Sequence, residues 1–252
     1  MTDATVPEAR SDATLRKFAL RRLRLPVGAG VLSLVVPDAG DWIRRGTWTA
    51  GRLRGGEPPY WVQIWPASLR LAQLVARRRG LGGVSVLDLG CGLGLPGIAS
   101  ARCGASVTFV DREADALAFA VWNARRVLPV VPPESQRLDW STATVQGSFD
   151  VVLLADVTYR AIHHVAVRRQ LASCLAEGAV VLHADPVRPE SVPFVSQLKR
   201  EFVVIESTKD VHLTGRRVPV RLCMAACRRE DLDPWLAAME GSLAEGDRKI
   251  AL

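Results

Sequence analysis

Residues 86–97 read V-L-D-L-G-C-G-L-G-L-P-G, an apolar run that passes directly into glycines 90, 92, 94 and 97 and then into a helix-compatible segment. Glycine lets the backbone turn through left-handed conformations and come close to a ligand. A glycine-rich turn between a buried strand and a helix belongs at the carboxyl end of a parallel sheet, so this segment predicts an α/β fold with a binding crevice above Gly90, Gly92 and Gly94.

The rest of the chain has the alternation that such a fold requires. Apolar runs at 84–89, 106–110, 149–155, 179–183 and 202–206 read as strands, with a weaker one ending near Leu138. Helical spacing separates them at 96–102, 113–127, 161–175 and 192–200, and an earlier helix opens at Pro66 with Leu69, Ala72, Leu74, Val75 and Ala76. The 113–127 helix is expected to turn Ala114, Leu117, Ala118, Val121 and Trp122 to one side. Strands joined by helices of this length form β-α-β units in a parallel sheet covered on both faces, and continuous rather than alternating apolar strands agree with that burial. Between 202–207 and 218–227 no helix intervenes, so these two strands pair as an antiparallel hairpin at one edge. The expected architecture is a doubly wound sheet of six parallel strands and one antiparallel strand near an edge.

In chain order, the expectation is a loose tail at 1–15 and a small β element and loop at 16–60. The ligand-binding unit follows at 61–230, and a docked terminal helix bearing Leu236, Met239 and Leu243 at 231–252. The N-terminal β element, at 19–37, is expected to wall the acceptor side. With 48% apolar residues over 252 positions there is ample material for one core, and no apolar run is long enough to span a bilayer. No secretory leader is evident, so a cytoplasmic location is expected.

The net charge of +7 comes from 33 basic and 26 acidic residues, and the arginines are scattered rather than clustered, which disfavours a nucleic-acid partner. Cys91, Cys103, Cys174, Cys223 and Cys227 form no C-x-x-C pair and are read as buried, reduced thiols, with no metal site. His163 and His164 have no ligand partner at suitable spacing and are read as surface residues.

Two cofactors compete for the glycine turn. Residues 92–97 satisfy G-x-G-x-x-G, the dinucleotide pattern. Pro96, however, removes one backbone donor that a pyrophosphate needs, and the Asp88 carboxylate would repel it. S-adenosylmethionine (SAM), cationic and free of phosphate, meets neither objection. Asp111, ending the next strand, can accept both ribose hydroxyls of an adenosine.

The segment V-L-D-L-G-C-G-L-G followed by V-T-F-V-D resembles the first motif and second-strand acid of class I SAM-dependent methyltransferases, with their Rossmann-like seven-stranded sheet. Further segments resemble methyltransferase family 16, which contains many protein-lysine methyltransferases. These are Pro59-Tyr60-Trp61 with Trp65-Pro66, Leu138-Asp139-Trp140, and Asp156-Val157-Thr158-Tyr159. Asp185-Pro186-Val187-Arg188-Pro189 is similar to a segment of the branch acting on the electron transfer flavoprotein β subunit. Ala67 and Ser68 depart from that branch, which more often has glycines there. A Pro-Pro-Tyr element at 58–60 is similar to one in amino-methylating DNA enzymes, but there it follows the fourth strand, where this chain has Ala155-Asp156-Val157-Thr158-Tyr159.

The resemblance implies SAM as cofactor and a protein substrate presenting a lysine, with an electron transfer flavoprotein β-like protein as one such partner. It implies cofactor contacts from Trp65, Asp88, Gly90, Gly92, Gly94, Asp111, Arg112, Asp139, Trp140 and Ala155, and catalytic roles for Asp156 and Tyr159. Each residue also has a plainer reading. The glycines and Asp88 could form a tight turn with no ligand, Asp111 or Asp156 could cap the helix that follows, and Arg112 could be a solvated loop residue. Trp65 could staple its helix, and Trp140 and Ala155 could be ordinary packing. Arg188 could contact substrate or anchor its loop. A SAM-dependent enzyme acting on a small metabolite is the alternative function, and a binding module without catalysis is a third.

Overall fold

A computed structural model describes residues 12–38, 40, 59–78, 80–127 and 133–240. Two antiparallel strands, β1 (Leu20–Val27) and β2 (Gly30–Pro37), form a hairpin of their own. The main sheet contains β3 (Ser85–Leu89), β4 (Ser106–Asp111), β5 (Glu134–Arg137), β6 (Phe149–Ala155), β7 (Leu175–Asp185), β8 (Val203–Leu213) and β9 (Arg216–Ala226). Six α-helices are found among the described residues: α1 (Pro66–Arg78), α2 (Leu95–Arg102), α3 (Ala114–Val127), α4 (Ala161–Cys174), α5 (Val192–Glu201) and α6 (Asp233–Glu240).

The spatial order of the main sheet is β5-β4-β3-β6-β7-β9-β8. Strands β3 to β7 pair in parallel, and β9 runs antiparallel to both β7 and β8. Six strands therefore share one direction and β9 opposes them, as the sequence predicts. The chain reverses between β3 and β6 to build the two halves of the sheet, and ligands bind at such a switch point, above the carboxyl ends of the strands.

Alternation along the central strands feeds two cores. Val86, Val151 and Leu153 join one face with α1, α2 and α3, while Leu87, Leu89, Val152 and Leu154 join the other with Val167, Leu171, Phe194 and Leu198 of α4 and α5. No helix among the described residues is long and apolar enough to cross a membrane.

Three expectations need correction. The α3 face is wider than expected: Leu117 is buried and Ala118, Val121 and Trp122 pack against the core as predicted, but Ala116, Phe119, Ala120 and Asn123 are buried as well and Ala114 is exposed. For Asn123 the reason is polar. Asn123 donates to the Val35 carbonyl and accepts from the Val35 amide, each at 2.8 Å, so a buried amide clamps β2 to α3 where apolar periodicity gives no sign. The same clamp holds the β1–β2 hairpin on the helix layer, and no residue of the hairpin lines the cavity described below, so it does not wall the acceptor side. Finally, Cys227 is exposed and Cys103 only half-buried, although all five cysteines are free thiols.

The β8–β9 hairpin is longer than expected. Thr214 and Gly215, both at positive φ, make its two-residue turn, and exposed polar residues alternate along the edge strand β8. Residues 1–11 of the expected tail lie outside the described residues, while Leu15 is fully buried and the Asp12 carboxylate accepts the Thr14 and Leu15 amides. Residues 51–58 of the loop expected at 51–59, and Leu243, also lie outside the described residues.

Candidate active site

The carboxyl ends of β3, β4 and β6 and the segment entering α1 surround a cavity of about 500 Å³. It gathers Trp65, Gly90, Gly92, Gly94, Asp111, Arg112, Asp139, Trp140, Ala155, Asp156 and Tyr159, leaving Asp88 as the one predicted site residue that does not line it.

Strand β3 ends at Leu89 and the backbone turns through Gly90 at φ +69. A Cβ there would lie 2.7 Å from Val157 and 2.8 Å from the Trp140 ring, so this position needs glycine twice over. Gly97 is needed for packing: a Cβ would strike the Phe109 ring and lie 2.9 Å from Asp88 Oδ2.

The amides of the turn are already engaged. Gly90 and Cys91 donate to the Val110 carbonyl at 2.8 and 3.0 Å, and Gly94 donates to Cys91 at 2.8 Å. Gly92 donates to Asp111 Oδ2 and Gly97 to Asp88 Oδ2, both at 2.9 Å. With Pro96 contributing no N–H, these five amides leave little of the cradle a diphosphate requires. The residues present suit a phosphate-free nucleoside carrying positive charge, and SAM meets that description.

The structure places Asp88 beneath the turn, fully buried, and this revises its part in the choice of cofactor. It excludes phosphate by occupying the Gly97 amide rather than by repulsion across the cavity. Its Oδ1 has no partner, and burial pushes its pKa up to about 8, so the group is largely protonated at neutral pH.

Asp111 accepts the Glu113 amide at 3.0 Å as well as that of Gly92, so it both anchors the turn and begins the following helix, with its remaining lone pairs available to ribose hydroxyls. Burial raises its pKa, opposed by those two amides. Asp139 accepts the Ser141 hydroxyl at 2.6 Å and amide at 2.9 Å, which hold its pKa below the usual range. The Trp140 ring stands over Gly90, where it can cover an adenine face.

At the other end, Asp156 follows β6 with φ +54, an uncommon left-handed conformation for a residue with a side chain. It does not cap α4, whose start has no side-chain cap. Its carboxylate instead accepts two hydrogen bonds from Arg188, from Nε at 3.2 Å and from Nη2 at 3.1 Å. Burial raises the Asp156 pKa and the guanidinium pulls it back. Arg188 is held in turn by Asp185, which accepts the Arg188 amide at 3.1 Å and is itself anchored by Arg221 and Ser191. Sequence reasoning left Arg188 between loop and substrate roles; the fold uses it to grip Asp156.

Aromatic rings line this end. Tyr60 lies 5.5 Å from Tyr159 and 6.1 Å from Trp65, and His163 lies 5.5 Å from Tyr159 and 6.0 Å from Trp140. Trp65 both lines the cavity and donates to the Tyr60 carbonyl at 2.9 Å. His163 is thus a cavity residue, and His164 is buried with its ring 3.0 Å from the Thr158 carbonyl, so neither is the surface residue expected. The signal for His163 was its place in the first turn of the helix that follows Tyr159 directly in sequence. Ile162, 72% exposed, lies at the mouth, so the cavity reaches the surface.

A family model described as "Lysine methyltransferase" matches residues 60–201. Protein N-lysine methyltransferase METTL21A of Mus musculus is 32% identical over 162 residues, covering 60% of this chain and 74% of that protein. The electron transfer flavoprotein beta subunit lysine methyltransferase of Rattus norvegicus is 30% identical over 161 residues, covering 63% of this chain and 61% of that one. Among solved structures, magnesium protoporphyrin IX methyltransferase from Synechocystis with bound SAM aligns at a TM-score of 0.51 and 19% identity. That alignment covers 74% of this chain and 94% of the other, a likeness of fold.

Proposed function

From the premise that this chain belongs to the lysine methyltransferase family, we propose that it transfers a methyl group from SAM to a lysine side chain of a protein substrate. The observation that carries this reading is the Arg188–Asp156 pair at the cavity's aromatic end, beside Tyr159.

When bound, SAM supplies an electrophilic methyl group on a sulfonium. Asp111 would hold its ribose, Trp140 and Asp139 its adenine end, and Gly90, Gly92, Gly94 and Ala155 give it close approach to the backbone. Arg112 borders the nucleoside, and Trp65 the methionine end.

A lysine amine attacks only when neutral, and its ordinary pKa is about 10.4. An unpaired carboxylate would favour the charged ammonium. With Arg188 balancing its charge, Asp156 can orient the amine through a hydrogen bond without holding the extra proton. Tyr60 and Tyr159 flank the entry, exclude water and guide the side chain, so most of the acceleration comes from positioning.

Within this proposal residues 61–230 form the catalytic unit, 16–60 an N-terminal element and 231–252 a terminal helix. An electron transfer flavoprotein β-like protein is the finer choice of acceptor, supported by the Asp185-Pro186-Val187-Arg188-Pro189 segment and by the rat relative. A cytoplasmic location is supported by the five free cysteines. Incubation with tritiated SAM and a lysate of the source cells should label a protein band, with the label recovered as methyl-lysine after acid hydrolysis. Label confined to small molecules would favour the metabolite alternative instead.

A further inference from the structure

Helix α4 turns a polar side chain toward the core. Val167, Leu171 and Cys174 form its buried stripe, and Gln170 lies among them, as fully buried as they are. Burying an amide is costly unless its N–H and C=O groups find partners, so packing alone gives no reason for a glutamine there.

Its partners are all backbone groups of one loop. Gln170 Oε1 accepts from the Val145 amide at 2.8 Å, and Nε2 donates to the carbonyls of Ala143 at 2.8 Å and Trp140 at 3.2 Å. A peptide N–H only donates and a carbonyl only accepts, so these three bonds leave the side-chain amide one orientation. The preceding residue, Arg169, is exposed and donates from Nη2 to the same Trp140 carbonyl at 2.7 Å. Between β5 and β6 the chain forms neither helix nor strand, so the peptide groups there have no ladder to join, and α4 supplies bonds in its place.

The Trp140 ring is half-buried and lines the cavity over Gly90, whereas Gln170 does not reach the cavity. We propose that Gln170 is a positioning residue for the cofactor: by fixing the Trp140 peptide it presets the ring on which adenine stacks, and so sets the affinity for SAM. This rests on the reading of the cavity as a SAM site. A ring already held in its bound place spares the ligand the cost of ordering the loop, and that saving appears directly in Kd.

Calorimetric titration of the full chain with SAM, for wild type, Gln170→Met, Trp140→Ala and the double variant, tests this role. Methionine keeps the length of glutamine and removes all three hydrogen bonds. Gln170→Met should weaken SAM binding about tenfold in the wild-type background, the scale of buried groups left unpaired. Where Trp140 is already alanine it should weaken binding less than about twofold, because the effects of residues that act through one another do not add. If Gln170→Met does not fold, Arg169→Met, on the exposed side of α4, carries the same cycle with an expected loss of about threefold. Equal losses in both backgrounds would mark a merely structural effect and overturn the inference, as would SAM affinity unchanged in every variant that folds. A wild-type chain that binds no SAM contradicts the proposed function and this role together, whereas SAM binding without the coupling contradicts only the role of Gln170.

Discussion

The guanidinium of Arg188 grips the carboxylate of Asp156 across 32 residues of sequence, with Nε on one oxygen and Nη2 on the other. Two loops that follow neighbouring strands, β6 and β7, are thereby tied at the edge of the cavity. In Arg188→Met, a carboxylate whose pKa burial already raises loses its compensating charge, and its pKa rises further. Protonation then sets in at higher pH, so the acid limb of the kcat profile should move upward. The kcat at neutral pH should fall about tenfold or more with SAM affinity little changed. An unmoved acid limb would show that Asp156 does not depend on Arg188.

For Asp156→Ala, kcat should drop about a hundredfold, the scale of a lost orienting hydrogen bond at a reacting group. The Kd for SAM, read by calorimetry, should stay within about threefold because other residues hold the nucleoside. Equal losses in both quantities would make Asp156 a cofactor ligand.

Gly90→Ala places a methyl against the Trp140 ring and Val157 at a residue with φ +69. The backbone alone costs about 1–2 kcal/mol, and displacement of Trp140 adds loss of the adenine platform. Thermal unfolding should show a lower Tm, and SAM affinity should fall about tenfold or more, well beyond what the lost stability explains. Weakened stability with intact SAM binding would mean that Trp140 does not touch the cofactor.

Asp88 titrates near 3.8 when unfolded but near 8 when folded. Between those values the unfolded chain has released a proton that the folded protein keeps. The stability this group contributes is therefore full below pH 3.8 and is lost as pH rises through about 8. His183 acts in the opposite sense at lower pH: burial depresses its pKa from 6.5 to about 4, and its stabilisation is lost as pH falls. From pH 6.5 to 8 the slope due to Asp88 is read as the difference between wild type and a variant without the carboxyl, in which the contributions of His183, Asp111 and Asp156 are shared. Asp88→Asn removes it, so the Tm of the variant should gain steadily on wild type across that window. Parallel Tm curves would contradict a protonated Asp88.

The sheet and the nucleoside end were legible in the sequence because their signals are local. Residues 86–97 carry strand, turn and helix start together, and Asp111 closes the next strand. What escaped depends on partners distant in sequence. Asn123 is buried on α3 because it binds the Val35 peptide, 88 residues away, and a buried amide has no hydrophobic signature. Arg188 could be assigned to Asp156 only once β6 and β7 lay side by side. Asp88 was visible as an acid at the end of a strand, but the direction of its side chain, toward the Gly97 amide, was not.

The engaged amides of Gly90, Cys91, Gly92, Gly94 and Gly97 are the physical ground for choosing a sulfonium nucleoside over a diphosphate. Calorimetric titration of the ligand-free protein with SAM and, separately, with NAD tests this most directly, alongside Asp111→Ala. Saturable SAM binding that weakens at least about tenfold in Asp111→Ala, with no heat from NAD, is the expected result. Tight NAD binding, or SAM binding indifferent to Asp111, would contradict it.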